Sequence, residues 1–398
     1  KLWETWVIEL LKGIGLLFLN PVLYIGLIVT YMLGSKRVKQ ERKLFHIRVE
    51  DPMIEMKEYI VPSLLTGFVL SVMTGLLGLN VPFEFVLLAG SLSVIFSIFL
   101  FVRLLSPVYT VGLSFLIIFG LGIYGFNGIW DEGYFAFDQA IYPSIAVLVG
   151  LLLLAEGWLI RKRGALHASP LYEKGKRGML VGAQKSKRIW LVPVLLFIPN
   201  GLLDVPGDFW PVFSFGETEW APLVVPFFIG FSFKAKSTLL ANIVQPLGRS
   251  MTVLGLIVLA ISAAGYWIPY VSLAAVAAAI IGHTIIFSVY KSREENRSSF
   301  FTSSKNGLMI LGILPESPAE RMGLRPGELL TKVNGRMVYS RTELYEALQS
   351  NRAHCKLEIY DINDQIRLVQ NALYEGDHHE LGILAVESRK LLPMEGVQ

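Results

Sequence analysis

Seven stretches of this chain, residues 13–33, 60–79, 83–102, 107–125, 141–160, 251–268 and 270–290, run for about 20 residues with at most one Asp, Glu, Lys or Arg each. A helix rises about 1.5 Å per residue, so such a run covers the roughly 30 Å hydrocarbon core of a bilayer. Repeated seven times, the pattern dictates a multi-pass α-helical membrane bundle. Composition agrees: 53% hydrophobic residues, 17% charged residues and a mean hydropathy of +0.52 exclude a soluble reading of the whole chain. Two further runs, 189–203 and 222–233, are short and carry Pro193, Pro199 and Pro226. Each is expected as a tilted span or as half of a re-entrant pair; counting both, residues 1–290 hold nine apolar segments, or eight crossing ones if the first run is re-entrant or lies in the interface.

Basic loops stay in the cytoplasm, and here the asymmetry is sharp. Residues 34–59 hold seven Lys or Arg and 161–188 hold nine, whereas 126–140 and 204–220 hold none. The first pair is assigned inside and the second outside. Lys291, Arg293 and Arg297 place the C-terminal part in the cytoplasm. Nine crossings put the N-terminus outside; eight put it inside, and the charges do not choose between them. The first apolar run lacks a small-residue cleavage site and is expected to anchor the chain. A net charge of +4 gives no reason to expect nucleic acid, and the lone Cys355 fits a reducing compartment.

Beyond residue 300 the texture changes to strand-length apolar runs with frequent turn signals, so 291–304 is expected as a polar linker, 305–390 as a small domain and 391–398 as a tail. Residues 307–314 read as a buried strand. Ser317-Pro318 supplies a helix N-cap followed by proline at the first helical position, and Gly323 ends that helix. Pro326-Gly327 turns into a strand over 328–333, and Asn334-Gly335 suits a tight hairpin. Ser340 and Glu343 form a capping box for a second helix that carries Leu344 and Leu348 on one face.

The order strand, Ser-Pro-Ala, helix, Gly-Leu, Pro-Gly-Glu, strand, Asn-Gly over 307–335 resembles the core of bacterial PDZ domains. That resemblance implies a small, mainly β domain with two helices that takes an extended peptide as an added strand beside its second helix. The glycine-containing loop that usually precedes the first strand has no counterpart in 298–306. Leu381, Gly382 and Ile383 have its pattern at the far end, as in PDZ domains of permuted strand order. They are therefore the expected peptide-binding strand, with Leu344 and Leu348 facing either the groove or the core. An ordinary closing strand is the alternative.

The layout as a whole, about 300 residues of spans followed by one PDZ-like domain, resembles the MinJ family of Gram-positive rods. The resemblance implies a non-catalytic adaptor of cell division. It would link the polar and septal scaffold DivIVA to the ATPase MinD, sit in the cell membrane at septa and poles, contact other division proteins and membrane lipid, and use no cofactor.

Catalytic alternatives lack their residues. His379-Glu380 is followed by no second histidine, so the zinc-binding His-Glu-x-x-His pattern is absent, and Gly90-Ser91-Leu92-Ser93 departs from a membrane serine nucleophile. His378 and His379 beside Asp377 make half a metal site at best. A transporter with a regulatory PDZ domain is the stronger rival, because Asn20, Glu156, Asn200, Asp204 and His283 put polar groups in or near spans. For His283 a helix-to-helix hydrogen bond is the expected role. The basic loops at 36–43 and 161–188 suit anionic lipid or an acidic partner, although topology alone accounts for them.

Overall fold

The computed structural model describes residues 2–124, 141–175, 178–204, 212, 219–351, 354–374 and 380–386. Eight helices and a long β-hairpin make an apolar body, and a six-stranded sheet with two short helices makes the C-terminal domain. In the body α1 (Leu2–Leu19) and α2 (Pro21–Phe45) form one pair bent by 46°. Asn20 makes the break: its side chain caps α2 by accepting from Val22 N–H at 3.0 Å, and Pro21 supplies the first helical residue. Then come α3 (Ile54–Leu77), α4 (Phe83–Ile98), a 3-10 turn (Val102–Leu105), α5 (Pro107–Tyr124) and α6 (Ile141–Arg163). Strands β1 (Ser169–Lys174), β2 (Leu180–Asp204) and β3 (Glu219–Ala235) follow, and α7 (Leu240–Ala264) and α8 (Val271–Asn296) close the body.

Among the described residues, four helices are long and apolar enough to span a bilayer, five with the bent pair counted as one, and α4 and α5 are shorter apolar helices. The surface is apolar where it faces outward: Val61, Leu64, Leu65, Phe68 and Leu76 of α3 are all exposed. A face of this kind suits contact with lipid. Helix α6 lies at the centre and meets α7 where Gly157 approaches the carbonyl of Gly248.

The two proline-broken runs are neither helical spans nor re-entrant helices. They are the arms of one antiparallel hairpin, paired from Gln184 and Ala235 at the base to Asp204 and Glu219 near the tip. The β-branched and aromatic residues that make the arms apolar also suit a pleated strand, and proline disfavours a helix interior more than a strand edge. Pro193 and Pro226 stand opposite each other in the register, so neither presents an N–H needing a partner. A hairpin edge at membrane depth must be covered by protein. Helix α3 does this for β2: the Thr74 hydroxyl donates to Leu195 C=O at 2.5 Å, and Leu195 N–H donates to Ser71 Oγ at 2.9 Å. Further toward the tip, Phe197 exchanges backbone bonds with Leu79 and Val81.

At the base of the hairpin, buried charges fasten four elements. Glu55 of α3 takes Arg37 of α2 at 2.9 Å and Arg188 of β2 at 3.2 Å. Arg188 also donates to the carbonyls of Leu166 and His167, and Glu41 accepts Val49 N–H and the Ser169 hydroxyl.

The C-terminal domain contains β4 (Leu308–Ile313), α9 (Pro318–Arg321), β5 (Leu329–Val333), β6 (Arg336–Met337), α10 (Arg341–Gln349), β7 (His354–Tyr360), β8 (Ile366–Ala372) and β9 (Ile383–Val386). The sheet order is β8-β7-β5-β4-β9, with β6 paired to β5. The polar segment 291–304 divides in two. Its first residues continue α8, where Glu294 accepts from Lys236 N–H, Ser237 N–H and the Ser237 hydroxyl. Further on, Phe300 N–H donates to Lys236 C=O and Gly182 N–H donates to Phe301 C=O, with the Phe301 ring fully buried, so the expected polar linker is tied to the body there.

Candidate functional site

The capping box expected at Ser340 forms: its hydroxyl accepts Glu343 N–H at 3.2 Å, and Glu343 accepts Tyr339 N–H at 2.7 Å in return. This fixes the start of α10, which turns Leu344 and Leu348 into the domain's core. Leu381, Ile383 and Ala385 belong to the same apolar cluster. All five expected groove residues are therefore brought together, each buried.

Leu381 and Gly382 form a turn leading into β9, and Ile383 is the strand's first residue. Ile383 N–H closes the turn on Glu380 C=O at 3.1 Å, and positive φ at both central residues, 58° and 79°, gives it type I′ character. Glycine is required at the second position, because a Cβ there would lie 2.4 Å from that of Ser317. The carbonyls of Leu381 and Gly382 turn inward to Ala319 N–H and Leu314 N–H. Arg341 at the start of α10 holds Glu380 at 2.5 Å, clamping helix to turn.

Strand β9 is the edge of the sheet, antiparallel to β4 with Ile310 opposite Ala385. Ile310 spends its N–H on Glu328 C=O, and its C=O accepts from Gly327 N–H. Ala385 is thus in a non-hydrogen-bonded pair, with its own N–H and C=O turned to the free edge. There Tyr172 of β1 donates its hydroxyl to Ala385 C=O at 2.6 Å.

That contact belongs to a docking surface that sequence reasoning missed. Phe45, Val49, Phe301, Leu311, Leu314, Leu384 and Val386 form one buried apolar cluster between the body and the sheet. Its signal lay in β4 and β9, Leu-Met-Ile-Leu-Gly-Ile and Ile-Leu-Ala-Val, which are apolar on both faces although a strand with one solvated face alternates. A cavity lined by Lys332, Glu358 and Tyr360, with Phe300 and Met309 from the edge of this docking cluster, includes none of the five expected groove residues.

The intramembrane candidates sort differently. Glu156, His283 and Ser106 are fully buried: the Ser106 hydroxyl donates to Glu156 Oε2 at 2.6 Å, and His283 Nε2 lies 3.0 Å from Glu156 Oε1. His283 Nδ1 lies 3.1 Å from the Tyr109 hydroxyl. Ser106 and Glu156 meet the same ring nitrogen, whereas a relay for nucleophilic attack needs the serine and the carboxylate on opposite nitrogens. The arrangement joins α5, α6 and α8. The side chains of Asn200 and Asp204, and residues His378 and His379, lie outside the described residues.

A body of apolar candidate spans that carries a docked, mainly β C-terminal domain defines a PDZ-bearing protein of the membrane-associated class, and residues 309–361 match the family model for the PDZ domain. The chain is 37% identical over 387 residues to the cell division topological determinant MinJ of Bacillus subtilis (strain 168), covering 96% of each. It belongs to the MinJ family. The probable MinJ of Lacticaseibacillus paracasei is 24% identical over 378 residues, covering 92% of this chain and 96% of that one. The mitochondrial serine protease HTRA2 of Drosophila ananassae is 32% identical over 75 residues, 19% of this chain, and that likeness is confined to the PDZ region. No solved structure matches the chain.

Proposed function

We propose that this chain is a non-catalytic membrane adaptor of cell division that links a DivIVA-like scaffold to a MinD-like ATPase and so restricts septum formation to midcell. The observation that carries this is the likeness, over nearly the whole of both chains, to a protein named for determining division topology. In this reading residues 1–290 anchor, 305–390 hold protein partners, and the chain is enriched at septa and poles.

The body crosses the bilayer with the basic base of the hairpin inside. Trp6 packs with Trp220 and Leu203 near the hairpin tip, while Val29 and Leu33 pack with Ile189 near its base. That direction supports an N-terminus outside and nine crossings, two of them strands. Leu381, Gly382 and Ile383 border the proposed peptide groove, with Leu344 and Leu348 supporting it from the core beneath; the terminal position of β9 in the sheet and the type I′ turn favour this reading. Transport is the second reading, favoured by the buried Glu156 and His283.

The adaptor reading is tested with purified components. MinD-like ATPase should be retained on scaffold-coated beads when the full chain, in detergent, is added, and should pass through without it. Retention that is independent of the chain would remove the bridging role.

A further inference from the structure

Three lysines converge on a cavity of about 430 Å³ at the base of the hairpin: Lys36 from α2 and Lys185 and Lys187 from β2. Among the described residues none of the three has a carboxylate within ion-pair distance. The nearby carboxylates are already engaged, Glu55 by Arg37 and Arg188, Glu41 by Arg37, and Glu173 by Lys234. Burial first, then the charges of Lys187 and Lys234, press the Lys185 ammonium below the ordinary lysine range against the opposing charge of Glu173, and burial and then Lys36 do the same to Lys187. Three like charges gathered on one recess, with Glu173 acting on Lys185 alone and without an ion pair to it, favour an anion there.

Lys187 also lines the adjoining cavity of about 570 Å³, together with Arg103. The Arg103 guanidinium lies over the Phe287 ring at 4.7 Å, and its buried Nε has no hydrogen-bond partner. Leu100 and Phe101 line both cavities. Leu100 holds φ at 54°, a costly value for a bulky residue. The Phe99 and Phe101 rings flanking it are stacked at 5.8 Å and are 64% and 53% exposed, so apolar surface stands beside the lysines.

We propose that this recess binds the phosphate of an anionic phospholipid, with Lys36, Lys185, Lys187 and Arg103 around the phosphodiester and Phe99 and Phe101 against the first acyl carbons. A soluble anion would satisfy the lysines but leave the paired phenyl rings in water. The proposal rests on the reading that the body spans the membrane with the hairpin base at the cytoplasmic interface, where basic pockets between spans meet lipid headgroups.

The test titrates the detergent-solubilised full chain with fluorescent phosphatidylglycerol. Saturable binding is expected, displaced by unlabelled phosphatidylglycerol and untouched by phosphatidylcholine. K36Q/K185Q/K187Q should weaken it roughly fivefold per lysine. K39Q/K43Q changes two exposed lysines of α2 outside the cavity and should leave it unchanged. F99A/F101A keeps every charge and should also weaken the lipid, which guards against a misfolded triple variant. Equal binding of phosphatidylcholine, equal loss in K39Q/K43Q, or displacement by inorganic phosphate at the concentration of the competing lipid would overturn the proposal. Release of the chain from membranes by alkaline carbonate would instead strike at the membrane reading, and is scored separately.

Discussion

The Tyr172 hydroxyl donates to Ala385 C=O at 2.6 Å, which joins strand β1 of the apolar body to β9, the terminal strand of the C-terminal sheet. In the proposed groove, a peptide strand added beside β9 would seek the same backbone acceptor as Tyr172. The body's position would then bear directly on peptide binding.

Tyr172→Phe removes that donor while keeping the ring against Phe45, whose centroid is 4.9 Å away. One hydrogen bond contributes about 1 kcal/mol, so local opening of β9 should become about fivefold more frequent. Hydrogen exchange over residues 381–386 of the full chain measures this. Unchanged exchange would mean that Tyr172 does not hold the edge.

Gly382→Ala forces a Cβ to within 2.4 Å of that of Ser317 on a backbone at φ 79°. Strain and overpacking together should cost about 2–3 kcal/mol. Thermal melting of the C-terminal domain, followed within the full chain, should fall by several degrees. A variant that melts with the wild type would show that the turn relaxes without cost.

Cys355 is fully buried in the domain's core, and desolvation pushes its thiol up to about 12. The native thiol thus stays protonated where an unfolded one ionises, near pH 9, so this group's contribution to stability is intact below pH 9 and is lost as pH rises toward 12. Iodoacetamide at pH 8 should label Cys355 only after denaturation. Rapid labelling of the native chain would contradict the burial.

Among the described residues, His283→Leu leaves the buried Glu156 with only the Ser106 hydroxyl as partner. Breaking a buried pair in this way costs on the order of 3 kcal/mol, whereas Glu156→Gln keeps the hydrogen bonds and should be tolerated. Melting in detergent separates the two. If Glu156→Gln melts normally yet abolishes function, the transport reading gains.

Much of this architecture was legible in the sequence. Six of the seven long apolar runs each fall mainly in one helix and the first, 13–33, is split by Asn20 between α1 and α2, while the turn chemistry of Ser317-Pro318, Asn334-Gly335 and Ser340 located the PDZ elements, because caps and turns are local. The hairpin was misread because an apolar run of twelve to fifteen residues carries no periodicity that separates a buried strand from a short span; the opposed Pro193 and Pro226 were the available clue. Of the expected strand Leu381, Gly382 and Ile383, only Ile383 lies on β9 and the other two make the turn before it, while the contacts of β9 with Tyr172 and Phe45 could not be read at all. Those contacts join residues more than 200 positions apart, and no local pattern records them. The lysine recess was hidden for the same reason: Lys36 and Lys187 look like topology signals until the fold brings them to one cavity.

The most direct measurement follows a fluorescent fusion of the full chain in a rod-shaped Gram-positive host, with the DivIVA-like scaffold present and then removed. The adaptor account predicts signal at septa and poles that disperses when the scaffold is lost. Uniform membrane signal in both strains would contradict it.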